Sequence, residues 1–340
     1  MEVMSRKWKW VLGMAAALGR PSLDALPDSL LLEILSQLPL RERLRNHHLA
    51  SCSAPRVCRR WRRLVQDKVL WRHVDLTPYE ISSRILWHLL RHHLRNNVRT
   101  LKVRGTLCSS RKQEFLSPAL LQALGKQCPG LQRLCLVCAD LRRLPYDFMP
   151  SSLMTLELSR CEIPGMWFRR ATGPDSTSAP PQLKHLFVYE VPSFSDWHLL
   201  DVSSQTRLQT LTLCGTYRVT DAGLQRAAPH LEALEHLTLR QCILTDFATH
   251  FIGRYMKRLR TLEFSDAPSL TDAGLACLVP LKYLETLCLA SCAKLSCDAI
   301  VTVGQALPQL RNLNLSGISF DDQAIRKIQA NLPNCCFSPP

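Results

Sequence analysis

One pattern governs what this chain can fold into. The motif LxxLxL recurs as LQRLCL (from Leu131), LMTLEL (Leu153), LKHLFV (Leu183), LQTLTL (Leu208), LEHLTL (Leu234), LRTLEF (Leu259), LETLCL (Leu284) and LRNLNL (Leu310), with a weaker copy, VRTLKV, from Val98. From Leu131 onward the spacings are 22, 30, 25, 26, 25, 25 and 26 residues. A strand alternates its side chains between two faces, so the motif's leucines point one way and the residues between them the other. A single copy cannot bury its apolar side alone. Stacked neighbours can, which makes a fixed period of this length the mark of a solenoid.

The segments after the strands read TYRVTDAGLQRA, APSLTDAGLACL and AKLSCDAIVTVG. Thr220, Thr271 and Ser296 stand where a helix N-cap is wanted, and Asp221 and Asp272 suit the positive end of the helix dipole. Leu224, Leu275 and Ile300 begin the buried face of a returning helix. The fold class is therefore an α/β solenoid, a leucine-rich-repeat horseshoe with parallel strands on the concave face and helices outside. Cys161, Cys242 and Cys292 each fall eight residues after their unit's first leucine, where a small side chain must pack. This matches the cysteine-containing type of repeat. The 30-residue spacing marks a Gly-, Pro-, Ser- and Thr-rich insertion near 165–182, GMWFRRATGPDSTSAPPQ, expected to be an irregular loop.

Charge and cysteine usage narrow the function classes. Net charge is +15, but residues 1–130 carry 23 Lys+Arg against 9 Asp+Glu, so the basic character belongs to the N-terminal third. The 15 cysteines are scattered rather than framed for disulfides, and Cys135 and Cys138, on a predicted strand, have no second pair at a zinc spacing. No cofactor or metal is expected. Paired carboxylates, a nucleophile elbow and a phosphate-cradling glycine loop are absent, and His88 and His92 lack the intervening Glu of a zinc protease, so no catalytic residue is expected. Arg6, Lys7 and Lys9 ahead of Val11–Leu18 imitate a signal peptide, but the run is short and lacks a clean cleavage site. Residues 1–23 read as a disordered or loosely helical extension. No run reaches a membrane span, and the expected setting is the cytoplasm, the nucleus or both.

Upstream of the repeats, LPDSLLLEILSQLPLRERLR places Leu30, Leu31, Ile34, Leu35 and Leu38 at helical spacing, with Pro27 and Asp28 at the helix start. Leu38-Pro39 ends that helix, and Arg41 to Arg45 begin a second. From Pro55 a third reading of helix puts Val57, Cys58, Trp61, Leu64 and Val65 on one face and five arginines on the rest. So few residues cannot bury that much apolar surface alone, which implies a partner or docking on the repeats.

Residues Leu26 to Leu76 resemble an F-box, roughly LPxELLxxILxxLPxxDLLRxxxVCRRWRxL followed by LW. This chain has LPDSLLLEILSQLP, then RERLR, RVCRRWRRLV and VLW. An F-box ahead of cysteine-containing leucine-rich repeats resembles the F-box/leucine-rich-repeat family. The boundaries expected are 24–76 for the F-box, 77–335 for about nine repeats and 336–340 for a tail. Two departures stand out. Arg43 occupies a position usually held by leucine, and NHHLASCSAP, residues 46–55, lengthens the join between the second and third helices.

The resemblance implies a non-catalytic substrate receptor of an SCF ubiquitin ligase, with the F-box on Skp1 and, through it, cullin and RING subunits. The matched Skp1-facing positions are Leu26, Pro27, Leu31, Ile34, Leu35, Leu38, Pro39, Leu44, Val57, Cys58 and Trp61. Candidate substrate contacts are the solvent-facing positions Gln209, Thr210, Thr212, Glu235, His236, Thr238, Arg260, Thr261, Glu263, Glu285, Thr286 and Cys288, which suit a polar protein surface. A protein-binding scaffold outside SCF is the alternative, should the insertion disable docking. Nucleic-acid binding is disfavoured because Trp61 lies on the apolar face and the basic helix lacks exposed aromatics, and no membrane partner is expected.

Overall fold

The computed structural model describes residues 26–43, 54–79, 81–105, 107, 116–169, 181–205 and 207–338. The N-terminal extension, Leu44, most of the 46–55 insertion and the middle of the 165–182 loop lie outside the described residues. The chain divides into two units, one ending at His73 and one beginning at Val74.

In the first unit, helix α1 spans Asp28–Gln37 and buries Leu31 and Leu35, one turn apart. It stops at Leu38, whose ψ of 142° is extended, because the following Pro39 disfavours helical geometry. A single turn, α2, covers Leu40–Arg43. The stretch expected to be one helix from Pro55 is instead two pieces, a 3₁₀ turn at Ala54–Arg56 and helix α3 at Arg59–Leu64. Cys58 breaks them with a φ of −155° and caps α3, its sulfur accepting from the Trp61 N–H at 3.4 Å. A 3₁₀ turn at Lys68–Trp71 completes the unit. Trp71 is buried there, and its indole N–H donates to the Val65 carbonyl at 2.8 Å.

An eleven-stranded sheet has its strands in chain order, β1 (His73–Asp75), which begins at the unit boundary, through β11 (Cys336–Ser338), and the second unit is built on it. The nine strands between are β2 (Thr100–Arg104), β3 (Arg133–Val137), β4 (Thr155–Ser159), β5 (His185–Tyr189), β6 (Thr210–Cys214), β7 (His236–Arg240), β8 (Thr261–Ser265), β9 (Thr286–Cys288) and β10 (Asn312–Asn314). Each is one LxxLxL copy. From β2 to β11 all neighbours are parallel and in register, so the motif's leucines stack into rows: Leu134, Leu156, Leu186, Leu211, Leu237, Leu262, Leu287 and Leu313 form one of them. Every member is buried, each contributing about 1.5–3 kcal/mol relative to an exposed leucine. The expected tail at 336–340 supplies β11, paired with β10.

Behind the sheet run α4 (Ser83–His92), α5 (Pro118–Gln127), α6 (Asp196–Gln205), α7 (Asp221–Ala227), α8 (Asp246–Tyr255), α9 (Asp272–Ala276), α10 (Cys297–Ala306) and α11 (Asp322–Asn331). From α6 to α10 a repeated lock joins each helix to the next. The first-turn carboxylate of one repeat accepts from the cap residue of the following one: Asp196 from Thr220, Asp221 from Thr245, Asp246 from Thr271 and Asp272 from Ser296, at 2.7–3.0 Å for the backbone N–H groups. The threonine hydroxyls donate to the second oxygen of the same carboxylates. Gly223 sits under this lock, since a Cβ there would lie 2.1 Å from Asp196 Oδ1. The three turn cysteines are buried, their thiols donating to carbonyls of the preceding repeat: Cys161 to Leu136, Cys242 to Leu213 and Cys292 to Phe264.

Among the described residues no helix lies between β4 and β5, and only a 3₁₀ turn, Tyr146–Phe148, lies between β3 and β4. Aromatic side chains fill that layer instead. Trp167 and Phe168, from the start of the segment expected to be an irregular loop, are buried against Tyr146 with ring centroids 5.3 and 5.0 Å away. The Trp167 indole N–H donates to the Leu144 carbonyl at 2.7 Å. His198 closes the cluster as a neutral imidazole: Nδ1 accepts from the Ser195 N–H at 3.1 Å and Nε2 donates to the Pro164 carbonyl at 2.9 Å. Burial holds its pKa below the usual histidine value.

Two candidate docking surfaces

The first surface belongs to the helical unit. Among its sequence-predicted contacts, Pro27, Pro39 and Val57 are exposed, and Leu26, Ile34, Leu38, Cys58 and Trp61 are half-buried. Leu31 and Leu35 are fully buried and form part of the unit's own core. Leu30 and Val69, absent from the predicted set, are exposed at 46% and 68%. Leu30 lies on the same helical stripe, which is the signal that could have found it.

Two of the five arginines on the other side of the third helix reach back to the start of α1. Arg60 pairs with Asp28 at 2.6 Å and donates to the Leu26 carbonyl at 2.6 Å, while Arg63 reaches the other Asp28 oxygen at 2.8 Å. These hydrogen bonds and charges hold the Asp28 carboxyl below its ordinary pKa. Arg43, at the position usually held by leucine, donates to the carbonyls of Leu38 at 3.1 Å and Leu70 at 2.8 Å. It ties the end of α1 to the last turn of the unit.

The second surface is the outward face of the sheet. Register sets its rows: Arg133, Thr155, His185, Thr210, His236, Thr261 and Thr286 in one, and Lys102, Cys135, Glu157, Phe187, Thr212, Thr238, Glu263 and Cys288 in the next. Thr210, Thr238, Thr261, Glu263, Thr286 and Cys288 are half-buried as face residues, and His236 is exposed. Thr212 departs from the expectation. It is only 7% exposed, flanked in register by Phe187 and Thr238. Gln209, Glu235, Arg260 and Glu285 sit just before their strands, and each carbonyl accepts two N–H groups of the next repeat. Arg260 and Glu285 also pair with each other at 2.6 Å.

The predicted set missed the aromatic part of this face. Phe187 and Tyr189 on β5 stack with centroids 6.5 Å apart and planes 12° apart. The Arg133 guanidinium lies 5.7 Å from the Phe187 centroid and pairs with Glu157 at 2.8 Å. Aromatic residues at the x positions of LKHLFVY were the available signal. Cys135, also on this face, is buried, and burial pushes its thiol up to about 12, so it is an inert packing group. Among the described residues no cluster of three or more His, Cys, Asp or Glu is placed to hold a metal ion, and no helix is long and apolar enough to cross a membrane.

The family model described as F-box-like matches residues 23–77. F-box/LRR-repeat protein 12 of Homo sapiens is 39% identical over 320 residues, covering 92% of this chain and 94% of that protein. The chain belongs to the F-box/leucine-rich-repeat family. The Mus musculus F-box/LRR-repeat protein 12 is 38% identical, over 91% of this chain and 93% of that one. A crystal structure of an internalin from Listeria monocytogenes is also similar, at 17% identity and a TM-score of 0.46, covering 71% of this chain and 61% of that one. In this F-box/leucine-rich-repeat chain the F-box is the unit built on α1 to α3. The repeats are β2 to β10, with β1 and β11 extending the sheet at either end.

Proposed function

We propose that this chain is the substrate-receptor subunit of an SCF-type ubiquitin ligase. Its F-box docks on Skp1, which links it to the cullin and RING subunits, and its repeats hold the protein to be ubiquitinated. The observation that carries this reading is the joining, in one chain, of an F-box-like segment at 23–77 to a leucine-rich-repeat sheet with a broad polar face. A receptor of this kind needs no catalytic side chain. It contributes proximity, holding a target lysine near a thioester carried by another subunit. It would act in the cytoplasm, the nucleus or both.

Five of the exposed and half-exposed apolar residues of the F-box, Pro27, Leu30, Ile34, Val57 and Trp61, form the centre of the contact set. The test is co-expression of the full chain with Skp1 followed by affinity purification. The chain retains Skp1, and Ile34→Asp and Trp61→Ala each weaken retention about tenfold or more, the usual effect at an interface centre. If Skp1 is not retained, and deleting residues 46–55 does not restore it, the receptor reading fails.

A further inference from the structure

The face of the sheet is not uniform along its length. The outward strand positions of β2 to β4 carry Lys102, Arg104 and Arg133 against one carboxylate, Glu157. Glu157 is already neutralised by Arg133 at 2.8 Å. Among the described residues neither Lys102 nor Arg104 has an ion-pair partner. Next to this cationic corner stands the Phe187–Tyr189 stack, whose rings share the same face. Cations without an ion-pair partner among the described residues, on the same face as a preformed aromatic platform three strands away, make a surface with two distinct demands, a carboxylate and an apolar group.

Register gives the distance between them. Lys102, Cys135, Glu157 and Phe187 occupy one row on four successive strands. Three strand spacings amount to about 14 Å, and an extended chain covers that in about four residues. We propose that this part of the face binds an extended acidic segment of a protein. Its carboxylates would lie on Lys102 and Arg104, and an apolar side chain about four residues away would lie on Phe187 and Tyr189. This deepens the receptor reading above by naming the chemistry of what the repeats hold. The cations also speed encounter with an acidic partner, because complementary charge steers association.

The test uses the full chain and three labelled peptides, read by fluorescence anisotropy. The first places two glutamates at four-residue spacing from a phenylalanine. The second has the same composition with the glutamates adjacent to the phenylalanine. The third replaces the glutamates by lysines. The first binds about tenfold or more tighter than the others, and its affinity falls as salt is raised. Lys102→Glu with Arg104→Glu, and separately Phe187→Ala, each weaken it about tenfold; Lys102→Arg and Phe187→Tyr preserve it. Unfolding curves on every variant identify any that misfolds, and Arg104→Glu alone, at an exposed position, serves if the double variant does. Equal binding of the lysine peptide, equal binding of the rearranged peptide, or indifference to both charge reversal and Phe187→Ala overturns the proposal. Skp1 retention is measured on the same samples. Its loss from the unaltered chain counts against the receptor reading and leaves the peptide result standing.

Discussion

Arg43 and Asp246 illustrate how single side chains hold each unit. Arg43 donates to two backbone carbonyls of the F-box, and charge-assisted bonds of this kind contribute about 1.5–3 kcal/mol each in favourable settings. Arg43→Leu is therefore expected to destabilise the F-box by about 1–3 kcal/mol, read as a lower denaturation midpoint; an unchanged midpoint would show that leucine serves equally well there. Asp246 receives both the N–H and the hydroxyl of Thr271, so Asp246→Ala costs about 1–3 kcal/mol by leaving two donors without that acceptor. His93 gives a pH signature. Burial, with His88 and His92 nearby, lowers its pKa from 6.5 to about 4. The folded state binds this proton less readily than the unfolded chain, so its contribution is present above pH 6.5 and lost as pH falls toward 4. The melting temperature should drop across that window, and less steeply in His93→Gln. At this scale the sequence marked the cap residues and turn cysteines through fixed offsets. It could not mark Arg43, whose partners Leu38 and Leu70 are backbone groups that any residue type could supply.

At the scale of elements, period-2 leucines gave every one of the nine central strands, because the burial rule for a stacked repeat leaves little choice. The turns after them were less legible. Cys138, Arg160, Glu190, Gln241, Asp266 and Ser291 adopt left-handed φ of 49–58° just past their strands, where only Gly215 and Gly317 advertise such a turn in sequence. The ladder imposes it: the Arg160, Glu190, Gln241 and Asp266 N–H groups donate to the next strand's side of the sheet at 2.8–3.2 Å. Helix-to-helix closeness is equally specific. A Cβ at Gly253 of α8 would lie 2.0 Å from the Cys277 carbonyl at the end of α9, and a backbone group cannot swing aside. Gly253→Ala should thus destabilise the repeats by about 1–3 kcal/mol through overpacking, despite alanine's better helix propensity. A neutral or stabilising result in chemical denaturation would contradict that packing.

For the whole molecule, a stack of repeats is held by nearest-neighbour interfaces, so its interior members are supported on both sides and its ends on one. Amide exchange should be slowest in β5 to β8 and faster in β2 and β10; uniform protection along the sheet would indicate a single cooperative block. The sequence by itself determined the architecture and the family resemblance, since a 22–30-residue period of LxxLxL and an LPDSLLLEI…VCRRW segment each fix which side chains must be buried. It did not determine which apolar residues of the F-box face outward: Leu31 and Leu35 turned inward while Leu30 and Val57 stayed exposed, because α1 meets its neighbours along one stripe only and α3 begins after a break at Cys58. Nor did it single out Phe187 and Tyr189 as a platform on the same face as Lys102 and Arg104, which have no ion-pair partner among the described residues. That juxtaposition arises from parallel register, which brings Lys102, Glu157 and Phe187 into one row although 85 residues of chain separate the first from the last.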